Sequence, residues 1–102
     1  MELLPKDLEE KIPKLYETQN IPSNDKIVYV KYFTPDTNRT WYGVEYSKED
    51  KLFFGYVKGL YPEWGYFSLI ELSEIKSPLG LTVERDIHFK PTKFKDIKEL
   101  NE

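Results

Sequence analysis

The sequence predicts an α+β domain: an antiparallel sheet of four or five strands, with an N-terminal helix and a second short helix packed on it. Three observations carry this reading. Three β-rich runs, Ile27–Phe33, Thr40–Tyr46 and Leu52–Lys58, follow one another through short polar connections, the pattern of an antiparallel meander. Ser68 and Glu71 have the spacing of a capping box, in which the hydroxyl accepts from a first-turn amide and the carboxylate reaches back to the cap. Near the start, Pro5 leads a run in which Leu8, Ile12 and Leu15 share one helical face.

The elements follow in order. Residues 5–15 read as the first helix, with Asp7, Glu9 and Glu10 at its positive end and Pro13 breaking or kinking it near Ile12. Residues 18–26, with Pro22, Ser23, Asn24 and Asp25, read as a loop. The first strand ends at the Thr34–Asn38 turn, rich in side chains that hydrogen-bond their own backbone. Alternation in the next strand places Tyr42, Val44 and Tyr46 on one face and Trp41, Gly43 and Glu45 on the other. After a glycine- and proline-bounded aromatic stretch from Gly59 to Tyr66, the capped helix runs over Leu69–Ile75, and Ser77-Pro78-Leu79-Gly80 ends it. Val83–Phe89 reads as a further strand and Lys90–Glu102 as a charged tail.

The 102 residues are expected to form a single domain, 1–102, with residues 1–4 and 96–102 frayed. Aromatic side chains make up 16% of the chain, eight of them tyrosines, so rings must build much of the core. Each buried ring removes roughly 150–250 Å² from water. The net charge of −3 argues against a duplex-DNA binder that works by neutralising phosphates. The absence of cysteine excludes disulfides and thiolate metal sites. No apolar run approaches the roughly 20 residues that span a bilayer, and no secretory signal is visible at Met1–Asp7. The expectation is a cytoplasmic protein that engages no membrane.

Two regions carry candidate functional residues. In Gly59–Tyr66, rigid backbone punctuation is combined with Tyr61, Trp64 and Tyr66 around the lone carboxylate of Glu63. Such loops present contact surface at low ordering cost, so these four residues are the candidate partner-binding site. In Val83–Phe89, extended geometry places Arg85 among Val83, Ile87 and Phe89. A guanidinium there needs a carboxylate partner, for which Glu45, Glu63 and Glu71 are candidates, and a structural Arg85–Glu45 ion pair is the expectation. On the other face, Glu84, Asp86 and His88 are of ligand type, but one histidine without metal-binding spacing leaves a solvated charged face as the better reading. No metal and no cofactor are expected. Glu63 beside Trp64 has the environment of a raised-pKa acid, which hydrolytic chemistry would need to match with a second carboxylate such as Glu45 or Glu84. No catalytic residue is assigned.

The blocks Phe33-Thr34-Pro35, Thr40-Trp41, Phe54-Gly55, Pro62-Glu63, Gly65-Tyr66, Ser68-Leu69, Glu71-Leu72 and Val83-Glu84-Arg85-Asp86, with Phe89 and Pro91, resemble a bacterial domain-of-unknown-function family (number 2958) over roughly residues 3–95. The resemblance implies a small single-domain protein of plasmids, conjugative elements or prophages. It implies no particular reaction. In that setting small acidic proteins often bind a host protein, and some inhibit restriction or CRISPR nucleases. The function expected is therefore a protein-binding accessory module of a mobile element, possible versions including an anti-defence inhibitor, with a host or element-encoded protein as partner. Two other readings stand beside it. One is single-stranded nucleic-acid binding by exposed rings, with Lys90, Lys93, Lys95 and Lys98 tracking phosphates. The other is a carboxylate-dependent hydrolase built on Glu63. The sequence leaves the oligomeric state open.

Overall fold

In the computed structural model, which describes residues 1–101, strand-forming and helix-forming segments fall largely where local chemistry directs them. The order is α1 (Lys6–Glu9), β1 (Ile27–Val28), β2 (Val30–Phe33), β3 (Thr40–Ser47), β4 (Leu52–Lys58), β5 (Glu63–Ser68), α2 (Leu69–Glu74), β6 (Glu84–Arg85) and β7 (Thr92–Lys93). Five strands form an antiparallel sheet in the order β5-β4-β3-β2-β6, and β1 pairs with β7 in a separate two-stranded ribbon. No helix is long and apolar enough to cross a membrane among the described residues.

The meander forms as the short polar turns direct, and α2 begins where the cap predicts: the Glu71 N–H donates to Ser68 Oγ at 3.2 Å. Elsewhere the elements are shorter or longer than expected. The N-terminal helix over 5–15 is a four-residue piece, because Pro13 cannot donate to a helical ladder and Ile12 already leaves the helix. Val83–Phe89 is strand only at Glu84–Arg85, where it meets Phe33 and Tyr32. The stretch read as an aromatic loop contributes a full strand instead. Glu63 to Ser68 pair in regular register with Val57 to Leu52, leaving only Gly59–Pro62 as loop.

Face assignment in β3 also departs from simple alternation. A bulge at Val44 shifts the register between Gly43 and Glu45. One extra residue inverts every side chain beyond it. Trp41 and Tyr46 therefore share the face covered by α1, α2 and the N-terminal residues, where the Phe53 ring packs on Tyr46 (4.5 Å between centroids), Phe67 (5.1 Å) and Tyr32 (5.8 Å). Tyr42 and Val44 lie on the opposite face under Ile97, Phe89 and Phe94 of the C-terminal tail, and Glu45 joins them there, in register with Phe54.

Close neighbours require two glycines near the bulge. A Cβ on Gly55 would stand 1.8 Å from the Tyr42 carbonyl oxygen, and one on Gly43 would stand 2.8 Å from Val30 Cγ1.

Described residues near both termini pack against the sheet. Leu4 and Ile97 are buried, the Tyr32 hydroxyl donates to the Leu3 carbonyl at 2.7 Å, and Lys31 bonds Glu99 at 2.6 Å. Glu102, within the expected frayed segment, lies outside the described residues.

Candidate partner-binding face

The candidate residues divide between loop, sheet edge and sheet face. Tyr61 stands free in the Gly59–Pro62 loop, 81% exposed beside Leu60 at 86%. Glu63 begins β5 on the helix-covered side, level with Val57. Trp64 and Tyr66 point to the tail-covered side, since alternate residues of a strand share a face. There they join rings that the sequence reading did not collect. Phe54 stacks on Trp64 at 5.9 Å and meets Tyr66 edge-on at 5.3 Å. Tyr56 and Phe94 close on the other side of Trp64 at 5.5 and 4.7 Å. Trp64 is thus half-buried within a cluster, while Tyr66 remains 51% exposed at its margin.

At that margin lies a cleft of about 270 Å³, lined by Tyr16, Gln19, Lys26, Glu45, Phe54 and Tyr66. Tyr16 is 63% exposed and has a backbone φ of 72°, a left-handed conformation that bulky residues seldom adopt. Glu45 holds it there. Its carboxylate accepts the Tyr16 N–H at 2.7 Å, the Thr18 N–H at 2.9 Å and the Thr18 hydroxyl. The same hydroxyl accepts from Lys26 Nζ at 3.1 Å, and Lys26 also donates to the Thr18 carbonyl. Buried Glu45 and buried Lys26 are thereby linked through one threonine, the satisfied arrangement that burial of charge demands. Interaction with the Tyr16 side chain, followed by desolvation and the nearby Tyr16 and Glu45, holds Tyr66 above the ordinary tyrosine pKa.

The expected Arg85–Glu45 ion pair is not formed. With its oxygens committed to Tyr16 and Thr18, Glu45 has turned away from the Arg85 side through the β3 bulge. Arg85 lies in β6 at the far edge of the sheet, where its Nε donates to the Glu2 carbonyl at 3.3 Å. Glu63, Glu45 and Glu84 are not gathered either. Glu63 and Glu84 occupy opposite edges of the sheet, and Glu45 faces the other side from Glu63. Asp86 and His88 follow β6 in a turn, with the His88 N–H donating to Asp86 Oδ1 at 2.9 Å and Asp86 Oδ2 lying 3.8 Å from Lys31 Nζ. Among the described residues no group of three or more His, Asp or Glu side chains is arranged to hold a metal ion.

A larger open groove of about 880 Å³ lies at the β2–β6 end, with Lys31, Lys58, Arg85 and His88 set against Glu84 and Asp86. Its lysines are engaged by the tail. Glu99 takes Lys31 through its carboxylate and Lys58 through its carbonyl, at 2.6 and 3.1 Å. Beside them the Tyr42 hydroxyl is buried without a hydrogen-bond partner.

The aromatic face is carried by the antiparallel meander of β2 to β5. The chain matches the family described as "Protein of unknown function (DUF2958)" over residues 3–96, and it belongs to that family. No curated protein and no solved structure matches it.

Proposed function

We propose that this protein is a protein-binding accessory module of a mobile genetic element, docking its partner on the surface formed by Trp64, Tyr66 and Tyr16, with Tyr61 in the adjoining loop and Glu63 at the start of the same edge strand. The partner in this reading is a host or element-encoded protein in the bacterial cytoplasm, and inhibition of a host defence nuclease is one version of it. The observation that carries the reading is the run of rings from Tyr16 through Tyr66 and Phe54 to Trp64 on one side of the sheet. Exposed Tyr61 and Leu60 lie in the loop that enters the same strand. Aromatic anchors of this kind supply most of the binding energy in protein interfaces, because two torsions are fixed for a large contact area. A left-handed Tyr16 held by a buried carboxylate supports the same reading, since backbone strain maintained by a dedicated hydrogen-bond network clusters at functional sites.

The test is capture of partners on the immobilised protein from bacterial lysate treated with nuclease, compared with Leu60→Ser/Tyr61→Ala. Both positions are solvent-exposed, so the variant retains the fold. The reading requires a discrete protein bound by the wild type and lost with the variant. Recovery that vanishes on nuclease treatment, or equal recovery by both forms, would count against it.

A further inference from the structure

The two edges of the five-stranded sheet are finished differently. β6 is two residues long and is met by the N-terminus: the Arg85 N–H donates to Met1 Sδ at 3.1 Å. β5 is six residues long, and among the described residues no strand pairs with its outer side. Monomeric proteins blunt such an edge with lysine, proline or a bulge. Within Glu63–Ser68 there is no lysine or proline, and the register with β4 is regular.

The outward groups of β5 can be identified. The Leu69 N–H donates to the Lys51 carbonyl at 2.9 Å, which makes that pair a hydrogen-bonded one. Bonded and non-bonded pairs alternate in an antiparallel ladder. Carrying the register on, Phe67, Gly65 and Glu63 bond to β4, while Trp64, Tyr66 and Ser68 direct their N–H groups away from the sheet.

Gly65 is the second observation. Gly43 and Gly55 are required by close neighbours, but a Cβ on Gly65 would meet nothing within 4 Å, and its φ is not positive. Within one chain a glycine there only weakens the strand.

We infer that β5 pairs antiparallel with β5 of a second copy of this chain, about a two-fold axis at Gly65. In this register the Trp64 N–H meets the Tyr66 carbonyl of the other copy and the Tyr66 N–H meets the Trp64 carbonyl. The Ser68 N–H meets the carbonyl of Pro62, the residue whose missing N–H is needed nowhere in this ladder. All three outward donors of each strand are then satisfied. Gly65 faces itself in a non-bonded pair, the kind with the closest backbones, about 4.5 Å between Cα atoms. On the aromatic side Trp64 lies beside Tyr66 of the other copy, a favoured class of cross-strand pair, so the two ring surfaces merge. Glu63 lies opposite Phe67 and four positions from its own counterpart, roughly 13 Å along the strand, so the like charges stay apart. A shift of the axis to Tyr66 leaves the Trp64 donor facing the Ser68 carbonyl, which already opens α2 as its cap. The inference does not depend on the partner-binding proposal, since it concerns contact between identical chains.

The chain contains no cysteine, so one introduced residue reports on the axis directly. Cross-strand disulfides need Cα atoms about 4.4–6.8 Å apart, which the Gly65 pair provides. Gly65→Cys, tolerated sterically, is expected to form a disulfide-linked dimer on mild oxidation, while exposed Tyr61→Cys under the same conditions stays largely without a cross-link. Sedimentation equilibrium of the unmodified chain is expected to give twice the chain mass. Tyr66→Pro removes an outward donor without removing a bond to β4, and is expected to return the mass to that of one chain with an unchanged far-ultraviolet circular dichroism spectrum. A wild type of single-chain mass, a dimer that survives Tyr66→Pro in folded protein, or cross-linking of Gly65→Cys no greater than that of Tyr61→Cys would overturn the assignment.

Discussion

The Tyr16 N–H donates a 2.7 Å hydrogen bond to the buried carboxylate of Glu45, twenty-nine residues away, and this contact fixes Tyr16 in its left-handed conformation at the mouth of the aromatic cleft. It joins the segment after α1 to the bulged half of β3, and so couples a feature of folding to the geometry of the proposed binding face.

Glu45→Ala leaves Lys26 buried without its threonine-relayed counter-charge and strands the Tyr16 and Thr18 amides. A loss of about 3 kcal/mol is expected, on the scale of a broken buried ionic network. Urea denaturation followed by circular dichroism measures it. A change below about 0.5 kcal/mol, the range of ordinary surface substitutions, would contradict the role given to this carboxylate.

Tyr16→Gly separates folding from binding. Glycine adopts a left-handed φ without the ~1–2 kcal/mol that an L side chain incurs, so the variant is expected to match or exceed wild-type stability. It removes a ring from the docking surface, and weaker partner capture is the accompanying expectation. A strongly destabilised variant would show that the ring's packing, rather than its presentation, accounts for the strained backbone.

Trp64→Ala is expected to behave as a core deletion as well as a surface change. Three rings, Phe54, Tyr56 and Phe94, lose a shared neighbour, and a cost of roughly 2–4 kcal/mol is expected, near the lower end for buried large-to-alanine changes because Trp64 is half-buried. Tyr61→Ala is expected to shift stability by less than about 0.5 kcal/mol. Thermal melts of the two variants side by side give the comparison, and equal melting points would contradict the placement of Trp64 in the cluster.

Alkaline pH provides a test of the core. Burial pushes Tyr32 and Tyr42 well above the usual tyrosine pKa, with Glu99 adding to the effect at Tyr42 and Arg85 opposing it at Tyr32. Tyr46 is raised as well, by burial and then by Glu9. In the unfolded chain these phenols ionise near pH ~10, whereas in the folded chain they stay protonated. Above that pH the unfolded state binds fewer protons, so stability is complete below it and falls as pH rises, by up to about 1.4 kcal/mol per pH unit for each such group. Tyrosinate absorbance and circular dichroism recorded along one titration are expected to show these residues ionising only as the fold is lost. Full tyrosine ionisation with native circular dichroism would contradict it.

The sheet was legible because its cues are local: polar turns between β-rich runs, and Ser68 three residues before Glu71. The inversion of faces in β3 was not, because the bulge at Val44 arises where Gly55 lets the Tyr42 carbonyl approach, a contact between strands that no local pattern encodes. That single residue also decides the fate of Glu45, which the alternation would have placed with Trp41 and which instead serves Tyr16 and Thr18. Tyr61, Trp64 and Tyr66 were recognisable by ring type beside glycine and proline, although Trp64 proves half-buried. Tyr16 lacked any such signal. It precedes a loop with no distinctive spacing, and its role depends on a carboxylate in a strand distant in sequence. The short β6 reflects the same limit, since Arg85 satisfies its charge at the N-terminal backbone rather than by continuing the strand.

The most direct test of partner docking on the aromatic face is affinity capture from nuclease-treated bacterial lysate, read by mass spectrometry, with wild type, Tyr16→Gly and Leu60→Ser/Tyr61→Ala run in parallel at matched stability. The account predicts a defined protein partner retained by the wild type after nuclease and lost or sharply reduced with both variants. Undiminished recovery by both variants, or recovery that depends on intact nucleic acid, would contradict it.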